Sequence, residues 1–278
     1  MLVRSERERS AVDTPARTRE EAPSQPAGRC RLDSRAVSPV DKVADGVYRL
    51  GTDWVGWYLY EVDAAVTVVD CGFSGYFEQL PAALAELGRS MGDVVAVVLT
   101  HYHADHVGSA ERIRTETGAT VFAPADDAAG IRSGKVPIPA GMAPNLWRPR
   151  MMRYMAHAVR NGGAKMTPVG KVQTFSDGEL LEVPGGLRAV HTPGHTGGHC
   201  SLLAEAAGVL FAGDALAMVS FLSGETGPQL LPFHEDAGQA RESLSRLEGI
   251  TAGVMAVGHG APFEGTPGEA VARALARA

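Results

Sequence analysis

Between residues 100 and 106 the chain reads THYHADH, placing four side chains able to grip a cation within six residues. Imidazole nitrogens and carboxylate oxygens suit zinc and neighbouring first-row ions. In an extended segment His101 and His103 project to the same side, because side chains alternate along a strand. Asp105 and His106 follow where the chain turns into a helix, so they point at a second position beside the first. A carboxylate also bridges two cations, which a neutral ligand does less well. Further along, TPGHTGGH contains His195, FAGDAL contains Asp214 and GHG contains His259. The chemistry these residue types predict is hydrolysis by metal-activated water, with no serine or cysteine nucleophile required. They do not select the bond.

The elements that must position these groups follow from periodicity. VYRL, WYLYEV and AVTVVDCG are short, β-branched or aromatic, and separated by polar or glycine positions, as strands are. VVAVVLT is a continuous apolar run and reads as a strand buried on both faces, delivering His101–His106 at its end. Helices are expected over Tyr76–Leu87, through SAERIRTET to Gly118, over Glu235–Leu247 and over Glu269–Ala278. Strands return as TVFAP, KVQTF, ELLEV, LRAVHT, CSLLAE, VLFAGD and VMAVGHG. Strands and helices thus occur in two similar rounds, each with a strand ending in aspartate, Asp70 and Asp214. Two sheets sandwiched between helices are expected.

The chain has 278 residues, 45% hydrophobic and 21% charged, with a formal net charge of −6. That is a soluble globular composition and not that of a nucleic-acid binder. Cys30, Cys71 and Cys200 form no paired spacing; Cys71 and Cys200 read as small buried hydrophobes. Residues 1–40 are polar, charged and proline-bearing, without a secretory apolar core, and are expected to be a disordered tail before a domain over 41–278. Glu6, Glu8, Glu20 and Glu21 count against an organelle transit peptide. No apolar run approaches the ~20 residues of a membrane span, so the expected location is cytoplasmic.

The five motifs VVDCG, THYHADH, TPGHTGGH, FAGDAL and GHG occur in order over about residues 44–265 and resemble the metallo-β-lactamase superfamily, nearest to its glyoxalase II-like and lactonase-like branches. The resemblance implies an αββα four-layer sandwich with a helical insertion near the active site. It implies His101, His103 and His195 at one metal, Asp105, His106 and His259 at a second, and Asp214 bridging. Asp70 would orient ligands. Two divalent ions are implied, zinc first, with manganese or iron as alternatives. Asp105 would orient the attacking hydroxide and collect its proton. Lactonases of the family place a tyrosine after the bridging aspartate; DALAMVSF has none, so that role is empty or falls to another residue such as Tyr102 or Tyr154.

The implied activity is hydrolysis of a carboxylic ester, thioester or lactone in a small molecule. A mononuclear iron sulfur dioxygenase-like oxidoreductase is the alternative. Residues 131–171 carry eight Lys and Arg, no Asp or Glu, and five of the nine methionines. Two readings stand side by side: a lid for a substrate with an apolar body and a negative group, or an ordinary helix packed through its methionines. NLWRPRMMRYMAHAVR is expected to form its helix after Pro149. His157, among basic residues, reads as solvated; His191 and His199 read as packed and hydrogen-bonded; His234 is a candidate pocket residue. No nucleic acid is expected as partner, and a homodimer is left open.

Overall fold

The computed structural model describes residues 40–136 and 142–277. Apart from Val40, the tail expected over 1–40 lies outside the described residues, as do Cys30 and positions 137–141 of the 131–171 segment. Seven strands form the first sheet in chain order: β1 (Asp41–Ala44), β2 (Val47–Gly51), β3 (Gly56–Val62), β4 (Ala65–Val69), β5 (Val94–Val98), β6 (Thr120–Pro124) and β7 (Gln173–Phe175). β1 to β4 run antiparallel, and β4 to β7 pair in parallel. A second sheet begins with β8 (Leu180–Leu181), β9 (Leu187–His191), β10 (Cys200–Ala204) and β11 (Val209–Gly213). β12 (Ala217–Val219) and β13 (Thr226–Gln229) form a separate two-stranded ribbon. β14 (Val254–Val257) and β15 (Phe263–Glu264) complete the second sheet, in the order β15-β14-β11-β10-β9-β8.

The helices are α1 (Gln79–Glu86), α2 (Ala104–Val107), α3 (Ala110–Thr117), α4 (Ala128–Ser133), α5 (Pro149–Arg160), α6 (Ala237–Ser243) and α7 (Pro267–Leu275). α1 starts later than expected, because Ser74–Tyr76 winds as a 3-10 turn before it. Likewise Leu244–Leu247 is a 3-10 continuation of α6. α7 starts at Pro267 behind a capping box, Thr266 accepting from the Glu269 backbone and Glu269 reaching back.

Alternation sorts the side chains into layers. From β5, Val97 joins a core with Leu84 of α1 and Ile113 of α3, while Ala96 and Val98 turn to the space between the sheets. There Tyr58, Tyr60 and Phe122 meet Leu202 and Phe211 of the second sheet. On the far side Leu210 and Met255 pack against Leu244, Leu247 and Val271. The order is therefore helices, sheet, sheet, helices: the αββα sandwich. Both faces of β11 are covered, as are those of β5 from Ala96 onward, which is why these stretches are apolar runs; Val95, near the start of β5, is exposed instead. Each fully buried Val, Leu or Phe contributes about 1.5–3 kcal/mol. Among the described residues no helix is long and apolar enough to cross a membrane.

Candidate metal centre

The candidate ligands hang from strand ends on one edge of both sheets. β5 runs into Leu99–His103, which bends at Thr100 and His101; His103, the residue that precedes α2, is itself extended (φ −70°, ψ 151°). Asp105 and His106 occupy the first turn of α2. His195 lies in the loop between β9 and β10, Asp214 directly after β11, and His259 two residues after β14. All seven residues expected at the metals come together. His101, His103 and His195 form one group with ligand-type atoms within 4.8 Å of one another; Asp105, His106 and His259 form another, and His101, His106 and Asp214 a third.

Asp214 stands between the groups. Its Oδ1 is 3.4 Å from His106 Nε2, and its Oδ2 is 3.2 Å from His195 Nε2 and 3.0 Å from His259 Nε2. The outward ring nitrogens explain which atoms face in. His106 Nδ1 donates to Asp70 Oδ2 at 2.8 Å, His195 Nδ1 to the Phe233 carbonyl at 3.1 Å, and His259 Nδ1 to the Trp54 carbonyl at 2.6 Å. Thr100 Oγ1 donates to Asp70 and accepts from His101 Nδ1. Each of these four rings therefore turns its Nε2 inward, toward other ring nitrogens and a carboxylate. His103 presents Nδ1 instead, 3.1 Å from His101 Nε2 and 2.9 Å from His195 Nε2. Buried acceptors facing acceptors are unfavourable unless a cation lies among them. His106 Nε2 and Asp214 Oδ1 in particular are buried without a hydrogen-bond partner. The residues present thus fit divalent ions.

Burial holds His101, His103 and His195 below the ordinary histidine range, keeping their nitrogens available. Burial also pulls on His106, but the Asp214 and Asp70 carboxylates outweigh it and hold the ring well above that range. Asp214 is buried, yet His259, His106 and His195 hold its carboxyl well below the usual range.

The supports are built from sequence-distant groups. Asp70 directly follows β4, in the left-handed region (φ 55°), a strained setting for a residue with a side chain. From there its carboxylate accepts from the Thr100 amide at 2.8 Å, from Thr100 Oγ1 and from His106. Asp70→Asn would set an amide N–H against His106 Nδ1–H or leave that donor weakly paired. Metal affinity should fall roughly 10- to 100-fold, read by competition with a chromophoric chelator; unchanged affinity would remove Asp70 from this role. His199, read as packed, is buried, held down to about 3 chiefly by desolvation, and its Nε2 accepts the Asp214 amide at 2.9 Å. Arg49 Nη2 donates to the carbonyls of Thr52 and Gly260, tying β2 to the His259 loop.

Two positioning groups were not found from sequence. Asp127 accepts from the Tyr102 amide, Thr196 Oγ1 and the Gly198 amide, lashing the His101–His106 loop to the His195 loop; burial pushes it up to about 6. Glu235 accepts from Tyr102 Oη at 2.6 Å and from the Gly197 amide. Tyr102 is therefore committed elsewhere, whereas Tyr154 Oη donates to Asp105 Oδ2 at 2.9 Å. Burial, then Asp105, pushes that phenol well up, so it remains a donor. His157 is not solvated. It is buried, with Nε2 hydrogen-bonded to Tyr76 Oη, because α5 turns Met151, Tyr154, His157 and Ala158 inward. Cys71 and Cys200 are buried free thiols, as expected; burial pushes Cys200 up to about 12.

A cavity of about 360 Å³ opens onto Asp105, His103, His195, Asp214 and His259. Its other walls are apolar, among them Phe73, Met142, Met155, Phe221 and Phe233. Met142 and Met155 come from the 131–171 segment, but among the described residues no lysine or arginine lines the cavity; the Arg150 guanidinium stands 5.8 Å over the Trp54 ring. His234 is not among the lining residues; its ring centroid is 5.5 Å from that of His195.

The sequence model of the metallo-beta-lactamase superfamily matches residues 55–259. YobT of Bacillus subtilis is 27% identical over 81% of this chain and 90% of its own length. An atrochrysone carboxyl ACP thioesterase of Aspergillus fumigatus is 26% identical over 74% of this chain, which spans 51% of that protein. The crystal structure of a metallo-beta-lactamase family protein from Thermus thermophilus superimposes with a TM-score of 0.62 and 29% identity, covering 84% of this chain and 79% of that one. The chain belongs to the metallo-beta-lactamase superfamily and is a metal-dependent hydrolase.

Proposed function

We propose that this hydrolase cleaves an ester-like bond, a carboxylic ester, thioester or lactone, in a small molecule with an apolar acyl body. His101, His103 and His195 would hold one divalent cation, Asp105, His106 and His259 a second, and Asp214 both, zinc being the first candidate. Such a pair supplies Lewis acidity, acidifying water toward neutral pH and offsetting charge on the carbonyl oxygen. The observation that carries the reading is the cavity, whose polar lining is confined to the candidate ligands and Tyr154 while the rest is apolar. Phe73, Met142, Met155 and Phe221 would take up the acyl body and exclude water, setting the carbonyl carbon beside Asp105. Asp105 orients the attacking water and accepts its proton on the carboxylate. Tyr154, which lines the cavity, donates its phenol proton to Asp105 Oδ2 and holds that carboxylate in place. The ACP thioesterase relative is consistent with acyl chemistry.

The test is turnover of p-nitrophenyl esters of increasing chain length, lactones, acyl thioesters and phosphodiesters by zinc- and manganese-loaded protein. Rates rising with acyl length are expected; turnover of phosphodiesters alone would end this reading. Tyr154→Phe should lower kcat roughly 10- to 100-fold, the worth of one hydrogen bond to a charged group. Metal content should stay at the wild-type value. A wild-type kcat in this variant would leave the phenol without a part in the reaction.

A further inference from the structure

Four of the six large hydrophobic side chains that stand exposed among the described residues fall within one stretch of 14 positions: Leu146, Trp147, Met152 and Val159. Trp147 is 72% exposed, Met152 59% and Val159 60%. On α5, Met152, Ala156 and Val159 follow one another at helical spacing on the solvent side. The helix is docked by its other side, through Met151, Tyr154, His157 and Ala158. The outward apolar column is therefore not needed to hold α5 to the domain. Exposed Arg153 and Arg160 flank it, and the Arg148 guanidinium lies 5.6 Å from the Trp147 ring. Val159 also lines the cavity, so the column runs to the cavity rim.

Charge distinguishes what this face fits. Residues 131–171 hold eight basic and no acidic residues in a chain of net charge −6. A symmetric dimer through this patch would set the same basic surface against itself, which disfavours a second copy. We propose that the outer face of α5, with Leu146 and Trp147, rests on an anionic lipid surface. Apolar side chains enter the headgroup boundary, a tryptophan sits at that level, and arginines meet lipid phosphates. The rim at Val159 then faces the bilayer. This contact concerns binding alone and stands whether or not the catalytic reading holds.

The chain carries its own reporter. Of its three tryptophans, Trp54 (2% exposed) and Trp57 (0%) are buried, so only Trp147 senses what covers this face. Full-length protein titrated with mixed phosphatidylglycerol–phosphatidylcholine vesicles at low salt should show a blue shift of emission and co-sediment. Salt should reverse both, and pure phosphatidylcholine should give neither. Trp147→Phe should lose the shift but still sediment; Arg160→Gln should partition about fivefold less, and Met152→Glu should weaken sedimentation while keeping the wild-type circular dichroism. Absence of binding to the mixed vesicles overturns the proposal, as does equal binding to neutral ones. Retention by an immobilised acidic acyl carrier protein without vesicle binding overturns it in favour of a protein partner. A dimer seen by light scattering and abolished by Met152→Glu overturns it in favour of self-association.

Discussion

Asp214→Ala is expected to lose bound metal and turnover together. Its two oxygens approach three imidazole nitrogens belonging to both ligand groups, at 3.0 to 3.4 Å. Among the described residues the neighbouring carboxylates are engaged elsewhere, Asp70 by Thr100 and His106, and Asp105 by Tyr154. A Lewis-acid pair contributes several kcal/mol to a hydrolytic transition state, so kcat/KM should fall about 10³-fold or more. Plasma mass spectrometry of dialysed protein gives the metal count beside the rate. Two zinc ions in the wild type support hydrolysis as proposed, whereas one iron with oxygen uptake would replace it. A variant that keeps its metals and most of its rate would remove Asp214 from the shared position.

Gly258→Ala should be nearly as damaging although Gly258 is not itself a candidate ligand. A Cβ there would lie 2.3 Å from Asp214 Oδ1 and 2.6 Å from His106 Cε1. The backbone has little room to retreat: the Gly258 amide donates to the Gly213 carbonyl at 3.0 Å, and its carbonyl accepts from the Gly56 amide at 2.8 Å. The two side chains must therefore give way, and they belong to the centre. Overpacking of this kind costs about 1–3 kcal/mol, lowering Tm by several degrees in a domain of this size. Activity should fall at least 100-fold, because displacements of ~1 Å already cost that much. Wild-type metal content and rate in Gly258→Ala would mean that the two side chains relax without consequence.

The 101–106 cluster was legible because its spacing is local, with Asp105 and His106 entering a helix as expected, whereas His195, Asp214 and His259 were joined to it through the resemblance of their motifs. The four layers were legible through apolar runs such as VLFA in β11, which a doubly covered strand requires; in VVAVV the same reading holds except at Val95, which is exposed. What escaped was long-range. Asp127 meets Thr196 and Gly198 across 69 and 71 positions, and Tyr102 meets Glu235 across 133; no local pattern announces such pairs. The β12–β13 ribbon was missed because TGPQ has neither alternation nor β-branched density. His157 was misread from its arginine neighbours, although the spacing of Met151, Tyr154 and Ala158 puts it on the buried side. The basic character of 131–171 was read correctly as sequence, but its arginines and lysines are absent from the cavity lining.

The apolar cavity wall and the candidate ligands draw on different parts of the chain. Phe73, Met142, Met155, Val159 and Phe221 lie between strands, and none has a side chain that could hydrogen-bond a ligand's ring or carboxylate. Evolution can redraw the guest list by editing these few positions while the cutting tool stays as it is. A lineage carrying this scaffold can thus change what it digests far more readily than how it digests it.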